Sequence, residues 1–178
     1  MATEKIILLA INIIGGIAVI GSYIVGLSSK ANGVNALWGG TPMSVRPIYT
    51  VSMILSAIGY FFFLYFIFFR LNPASFSVFN GSGFNIFYIV FIGILLASAL
   101  WMPLTNLFVA NPSGFLWFAI RAVLAIVGLS SIALAWILIS MYTKEAGLTY
   151  WLAVFGSVYF ALHTAILDAI FWPIFFKM

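Results

Sequence analysis

Asp168 is the residue of this chain whose type and position most directly predict chemistry. It is the only acidic residue between Glu145 and the C-terminus, and it lies deep in the last long apolar run. A carboxylate placed in hydrocarbon costs at least about 2.5–3.5 kcal/mol. We therefore expect Asp168 to face inward, toward a partner, a cavity or a ligand, and it is the first candidate for a functional residue.

His163 and Thr164 are the other polar candidates in this run. His163 is the only histidine of the chain and lies five residues before Asp168. Five residues on an α-helix place two side chains roughly 140° apart, so His163 and Asp168 are not expected to touch. Thr164 precedes Asp168 by four residues and shares its helix face, where its hydroxyl could donate to the carboxylate. A lone histidine can ligate the metal of a bound macrocycle, but we favour a neutral, hydrogen-bonded imidazole.

Three kinds of partner are open for Asp168. Arg121 is the basic residue inside another apolar run, and antiparallel packing of the two runs places both residues toward the same membrane face. A buried ion pair between them is the first alternative. The second is a ligand or water in a cavity, and the third is a residue of another subunit.

The residue inventory excludes most kinds of active site. The chain has no cysteine, one histidine and three acidic residues that lie far apart in sequence. We therefore expect no metal cluster, no catalytic triad and no phosphate-binding glycine loop, and we predict no catalytic residue. An enzyme that uses Asp168 as acid or base is the least favoured alternative. The seven Lys and Arg residues are scattered, so no nucleic-acid partner is predicted.

Composition places the candidates in a membrane. The chain is 65% hydrophobic and 6% charged, whereas soluble domains carry about 25% charged residues. Five apolar runs are each long enough for the roughly 20 helical residues that cross a bilayer core, and unpaired backbone groups are not tolerated in lipid. We predict an all-α membrane protein, a five-transmembrane-helix bundle in a single integral membrane domain, 1–178, with spans at about 6–27, 47–69, 84–109, 115–142 and 148–174.

The segments between the runs predict how the helices follow one another. Short turns rich in Asn, Pro and Gly favour antiparallel neighbours. Small residues such as Gly15, Gly16 and Gly128 predict close helix packing. The first run is longer than the apolar core of a signal peptide, so we interpret it as a retained span. The compartment stays open between a bacterial inner membrane and a eukaryotic organelle membrane.

Three segments carry a resemblance to a known family. Residues 42–50 read Pro-Met-Ser-Val-Arg-Pro-Ile-Tyr-Thr, residues 98–103 read Ser-Ala-Leu-Trp-Met-Pro, and residues 164–172 end in Leu-Asp and then Trp. They resemble, in order, the Pro-rich entry with Pro-x-Trp-Thr, the Asn-x-x-Trp-x-Pro pattern and the Ala-rich segment with Leu-Asn and Trp of the tryptophan-rich sensory protein and translocator protein family, TspO. The resemblance covers roughly residues 38–172 and implies a TspO-like bundle.

The resemblance also implies a ligand site. Family members bind tetrapyrroles and, in some cases, sterols, in a pocket open toward the first loop and walled by spans one, two, three and five. In this chain Tyr49 and Phe160 stand at family Trp positions, and Ser98 and Asp168 at family Asn positions. Arg46, at the pocket mouth, would meet a ligand carboxylate. The residues implied to contact the ligand are Trp38, Arg46, Tyr49, Ser98, Trp101, Phe160, His163, Thr164 and Asp168.

Two hypotheses for function follow. The leading one is a TspO-like membrane protein that binds an apolar planar ligand, a tetrapyrrole or a sterol, as a sensor, carrier or regulator. The alternative is a structural or accessory subunit of a larger membrane complex that retains the fold without the ligand site. The predicted partners are the lipid bilayer, an apolar small molecule, and either a second copy or a larger complex. A cavity with Asp168 in its wall favours binding, whereas a space filled by side chains favours the subunit.

Overall fold

Five long helices make up the structure. The computed structural model of the protein describes residues 2–28, 37–78, 81, 83–141 and 147–176. All five helices are long and apolar enough to cross a membrane, and the described residues form no β-strand. The prediction of an all-α, five-helix membrane protein is therefore confirmed. The spans are α1 (Thr3–Ser28), α2 (Arg46–Phe69), α3 (Ile86–Ala110), α4 (Gly114–Ser140) and a fifth span (Leu148–Phe175).

The helices begin where local chemistry allows. Pro47 occupies the first turn of α2, where a missing backbone N–H costs nothing. Ser113 caps α4, because its hydroxyl accepts a hydrogen bond from the backbone N–H of Leu116 at 3.2 Å. A single 3-10 turn, Pro73–Ser75, lies between α2 and α3, and the side chain of Asn72 caps it.

The fifth span changes its helical type half-way. It begins as α5 (Leu148–Ala161), continues as a π-helix (Leu162–Phe171) and ends in a short α6 (Trp172–Phe175). In a π-helix each backbone N–H bonds to the carbonyl five residues back. Such stretches are rare in proteins, and those that occur are often found at functional sites. His163 and Asp168 both lie in this π-helix. The sequence pattern alone predicted an uninterrupted α-helix here.

The five spans pack in a fixed spatial order. α1 packs against α3, α3 against α4, α4 against the fifth span, and the fifth span against α2. In the part of the chain that the structure describes, α1 and α2 are not a closely packed pair. Single hydrogen bonds join them instead: the Tyr60 hydroxyl donates to Asn12 Oδ1 at 2.6 Å, and Lys5 Nζ donates to the Phe68 carbonyl at 2.7 Å. The bundle therefore has an open seam, which we call the α1–α2 seam.

Glycines set the closest helix crossings. A Cβ built on Gly59 of α2 would lie 2.7 Å from the carbonyl oxygen of Gly156 in α5, and the reverse distance is the same. A Cβ on Gly128 of α4 would lie 2.9 Å from Cα of Ala165 in the π-helix. No larger residue fits where two backbones approach this closely, so these glycines hold the fifth span against both neighbours.

Most of the molecular surface is apolar. On α1 a continuous face is 62–73% exposed, formed by Ile14, Ile17, Ile20, Ile24 and Val25. Exposed apolar patches of this extent mark membrane or protein contacts. Contact of these helices with a lipid bilayer accounts for this surface, as predicted from composition.

Candidate ligand cavity

A large cavity occupies the bundle. Its volume is about 1510 Å³, and its walls come from α1, α2, α3 and the fifth span, with Leu124 and Val127 of α4 contributing. Ligand pockets typically measure about 300–1,000 Å³, so this cavity has room for a large molecule. Ile13 and Ile20 of α1 and Phe61 of α2 line the cavity and are also exposed on the outer surface. The cavity therefore opens toward the bilayer at the α1–α2 seam.

The structure brings together most of the residues singled out from the sequence. Arg46 does not line the cavity; its guanidinium carbon lies 5.4 Å from the centroid of the Trp38 ring, which does. The guanidinium Nε also donates to the Thr41 carbonyl at 3.3 Å. The predicted residues in the cavity wall are Trp38, Tyr49, Ser98, Trp101, Phe160, His163, Thr164 and Asp168.

His163 and Asp168 are in contact, contrary to the expectation from α-helical geometry. Nε2 of His163 lies 3.5 Å from Oδ2 of Asp168. The reason is the π-helix, in which residues five apart stand one turn above each other rather than on different faces. The prediction failed because it assumed 3.6 residues per turn throughout the span.

Ser52 of α2 completes a hydrogen-bonded series with these two residues. The Tyr159 hydroxyl donates to Ser52 Oγ at 3.3 Å, and Ser52 Oγ lies 2.9 Å from His163 Nδ1. Because Ser52 already accepts from Tyr159, its own hydrogen is available for Nδ1. In a neutral imidazole the proton then resides on Nε2, which faces Asp168. The series thus directs an N–H of His163 at the carboxylate.

This series has the residue types of a catalytic triad, which the sequence was expected not to form. In serine hydrolases, however, the acid holds Nδ1 of the histidine and the serine faces Nε2. Here the ring nitrogens are reversed, and the His163–Asp168 separation of 3.5 Å is long for a hydrogen bond. We interpret Ser52 and His163 as residues that position Asp168. Sequence reasoning missed Ser52, since 111 residues separate it from His163 and no motif links them.

Thr164 does not serve Asp168 as predicted. Its hydroxyl lies 2.6 Å from Ser131 Oγ of α4 and donates to the Phe160 carbonyl at 2.9 Å. The side chain therefore joins the π-helix to α4.

Arg121 is not the partner of Asp168. The arginine is exposed on α4, and the carboxylate is paired with His163. The neighbouring positions explain this orientation, because Ile120 and Leu124 belong to the buried face of α4 and Arg121 lies at the edge of that face, about 100° from Ile120. The predicted buried ion pair is therefore wrong.

Aromatic side chains line the cavity together with Asp168. Trp101 and Trp172 meet edge to face with ring centroids 5.6 Å apart, and Tyr23 lies 5.9 Å from Trp101. Trp172 is held in place by a hydrogen bond from its Nε1 to the Leu37 carbonyl at 3.1 Å, and both residues line the cavity.

Replacing Tyr49 with phenylalanine tests the link between α2 and the π-helix. The Tyr49 hydroxyl donates to the Leu167 carbonyl at 2.9 Å, and this carbonyl also accepts the π-helical bond from Trp172. We expect a loss of about 1 kcal/mol in the free energy of unfolding, because the ring stays and one buried hydrogen bond goes. Unfolding in mixed micelles measures it, with the exposed Tyr65→Phe as control.

Similarity to known proteins does not assign this chain to a family. Comparison with protein-family models, with curated proteins and with solved structures gives no match. Among the described residues, no three His, Cys, Asp or Glu side chains gather into a group that could hold a metal ion. The case for function therefore rests on the cavity and on the residues in its wall.

Proposed function

We propose that the protein is a TspO-like integral membrane protein that binds an apolar, flat molecule in its cavity, as a sensor, carrier or regulator. The observation that carries this proposal is the cavity itself, in whose wall eight of the nine residues implied by the resemblance meet. These residues come from four different segments of the chain. A filled bundle would have favoured a purely structural role.

The chemistry of the wall suits a planar apolar ligand. Aromatic rings prefer offset or edge-to-face contacts, and Trp38, Tyr49, Trp101 and Phe160 offer such surfaces from separate sides. The lining is otherwise mostly aliphatic, so burial of apolar area stabilises the complex. A tetrapyrrole and a sterol both meet these requirements.

The α1–α2 seam gives a ligand a route from the bilayer into the cavity. A ligand of low water solubility partitions into the membrane first, and the seam opens toward the acyl chains. Two hydrogen bonds, from Tyr60 to Asn12 and from Lys5 to Phe68, span the seam, and they must be bypassed or broken for a wide ligand to pass. The seam therefore limits the rate of entry more than the final affinity.

A matched pair of glycine substitutions in α1 tests the cavity. Gly16 lines the cavity and Gly21 does not, and a Cβ at either position meets nothing within 4 Å. Phenylalanine at position 16 fills ligand space, so we expect Gly16→Phe to weaken binding of cholesterol and of protoporphyrin dimethyl ester at least about tenfold, or about 1.4 kcal/mol. Gly21→Phe is expected to bind normally. Calorimetry or equilibrium binding in nanodiscs measures both.

An accessory subunit is the competing function, and the exposed face of α1 is the observation that favours it. The decisive measurement is absorption and mass spectrometry of the protein extracted gently from its native membrane. A co-purifying flat apolar molecule that is lost in Gly16→Phe supports binding. Stoichiometric partner chains with no small molecule, together with equal behaviour of the two glycine variants, would contradict the proposal.

A further inference from the structure

Among the described residues that line the cavity, one side chain carries a formal charge. Asp168 is the acidic residue of the lining, and no Lys or Arg that the structure describes lines the cavity. The remaining ionisable side chains are His163 and several tyrosines, which are neutral in their ordinary states. The part of the cavity next to Asp168 therefore has a negative electrostatic potential whenever Asp168 is ionised.

The carboxylate of Asp168 has acceptor capacity to spare. An ionised carboxylate offers about four acceptor positions on its two oxygens. Among the described residues, the structure pairs it with His163 alone, at 3.5 Å. One-third of the side-chain surface (33%) stays accessible, and Asp168 belongs to the cavity wall, so this accessible part faces the cavity.

The basic residues that the structure describes contact other groups or lie on the outer surface, away from Asp168. Arg121 and Arg70 are exposed on the outer surface. Arg46 contacts Trp38 and the Thr41 carbonyl, and Lys5 bonds to the Phe68 carbonyl. His163 cannot turn toward a ligand without giving up Ser52 on its other nitrogen. No Lys or Arg that the structure describes therefore neutralises Asp168, and a positive group on a ligand can do so.

The surroundings of Asp168 suit an ammonium group in particular. Tyr23, Trp101 and Trp172 form a connected set of rings in the same cavity wall as Asp168. Aromatic faces attract cations through their quadrupole, and the effect grows when water is excluded. A cavity whose wall combines these rings with the Asp168 carboxylate therefore attracts a positive charge on an apolar body.

We propose that the preferred ligand class is a flat apolar molecule with a protonated amine, whose ammonium group donates hydrogen bonds to Asp168. This inference rests on the proposed function, since it names the ligand class of the same cavity. The geometry disfavours free ligand carboxylates at this end, because they would lie beside a like charge in a low dielectric. A tetrapyrrole with free propionates would have to direct them away from Asp168.

Three pyrene derivatives that differ in one group test the proposal. Pyrenylmethylamine carries the cation, pyrenylmethanol is neutral, and pyrenecarboxylic acid is anionic. Energy transfer from the cavity tryptophans to pyrene reports binding to the full chain in phosphatidylcholine nanodiscs, a zwitterionic membrane that concentrates neither charge. We expect the amine to bind about tenfold or more tighter than the alcohol, as a charge-assisted hydrogen bond implies, and the acid to bind weakest.

Two variants assign that preference to its residue. Asp168→Asn keeps the shape and removes the charge, so the amine and the alcohol are expected to bind within about twofold of each other. Asp168→Glu keeps the charge and is expected to retain the preference for the amine. The ranking of the three probes in the unmodified protein needs no variant, so it stands even if a variant fails to fold.

Each outcome bears on a separate claim. Equal affinity for the three probes, or tightest binding of the acid, overturns the amine inference and leaves cavity binding intact. An amine preference that survives in Asp168→Asn also overturns it. Failure of all three probes to bind, or binding that Gly16→Phe does not weaken, overturns the proposed function itself.

Discussion

Replacing Gly156 with valine is expected to lower the free energy of unfolding by about 3 kcal/mol, the largest loss among the substitutions proposed for this bundle. A Cβ at this position would lie 2.7 Å from the carbonyl oxygen of Gly59 and 2.9 Å from its Cα. Both obstacles are backbone atoms, so no change of side-chain rotamer relieves the overlap. α2 must move away from the fifth span, which also separates Ser52 from His163.

Gly21→Val is the matched control for this prediction. It makes the same change in another span, where a Cβ meets nothing within 4 Å, and we expect an effect within about 0.5 kcal/mol. Gly59→Val should lower the free energy of unfolding by a similar amount, because Gly59 is the partner of Gly156 at the same helix crossing. The double substitution should cost less than the sum, because either one alone already separates the helices. If unfolding in mixed micelles gives Gly156→Val the stability of Gly21→Val, the described crossing is wrong.

The five spans could be predicted from the sequence because membrane insertion is set by composition. A run of about 20 apolar residues needs no knowledge of its neighbours to be recognised. The helices of the structure begin within three residues of the predicted spans, for example at Thr3 against residue 6 and at Arg46 against residue 47. The order in which spans pack depends on contacts such as that between Gly59 and Gly156, and neither glycine differs from any other in the sequence.

The wall of the cavity was predicted in outline, and its polar contacts were not. Aligning segments with a family pattern gave the positions of residues such as Trp101 and Asp168. It did not predict the π-helix (Leu162–Phe171), because the apolar composition of a span does not distinguish π-helical from α-helical hydrogen bonding. The contact between His163 and Asp168 and the role of Ser52 follow from that change of helical pitch. The predicted pairing of Arg121 with Asp168 was wrong because it rested on the depth of the two residues in the membrane. It did not take into account which face of α4 carries Arg121.

Replacing His163 with leucine is expected to lower the free energy of unfolding by about 2 kcal/mol. The neutral imidazole directs its Nε2–H at the carboxylate, and a hydrogen bond to a charged group contributes about 1.5–3 kcal/mol. The separation of 3.5 Å and the accessible third of the Asp168 side chain (33%) keep the expected loss below the upper end of that range. Leucine fills much of the space of the imidazole but offers neither nitrogen, so Ser52 and Asp168 both lose a partner. Unfolding in mixed micelles measures the loss.

A double-mutant cycle separates the two contributions to that loss. If the destabilisation comes from the carboxylate left without a partner, Asp168→Asn in the His163→Leu background should recover about half of it, because a neutral amide costs less to bury. A coupling free energy of about 1 kcal/mol between the two positions is then expected. His163→Gln, whose amide can still donate toward Asp168, should fall between the unmodified protein and His163→Leu. Strictly additive effects would mean that His163 acts through packing and Ser52 alone, and that Asp168 reaches its cavity position without help from the imidazole.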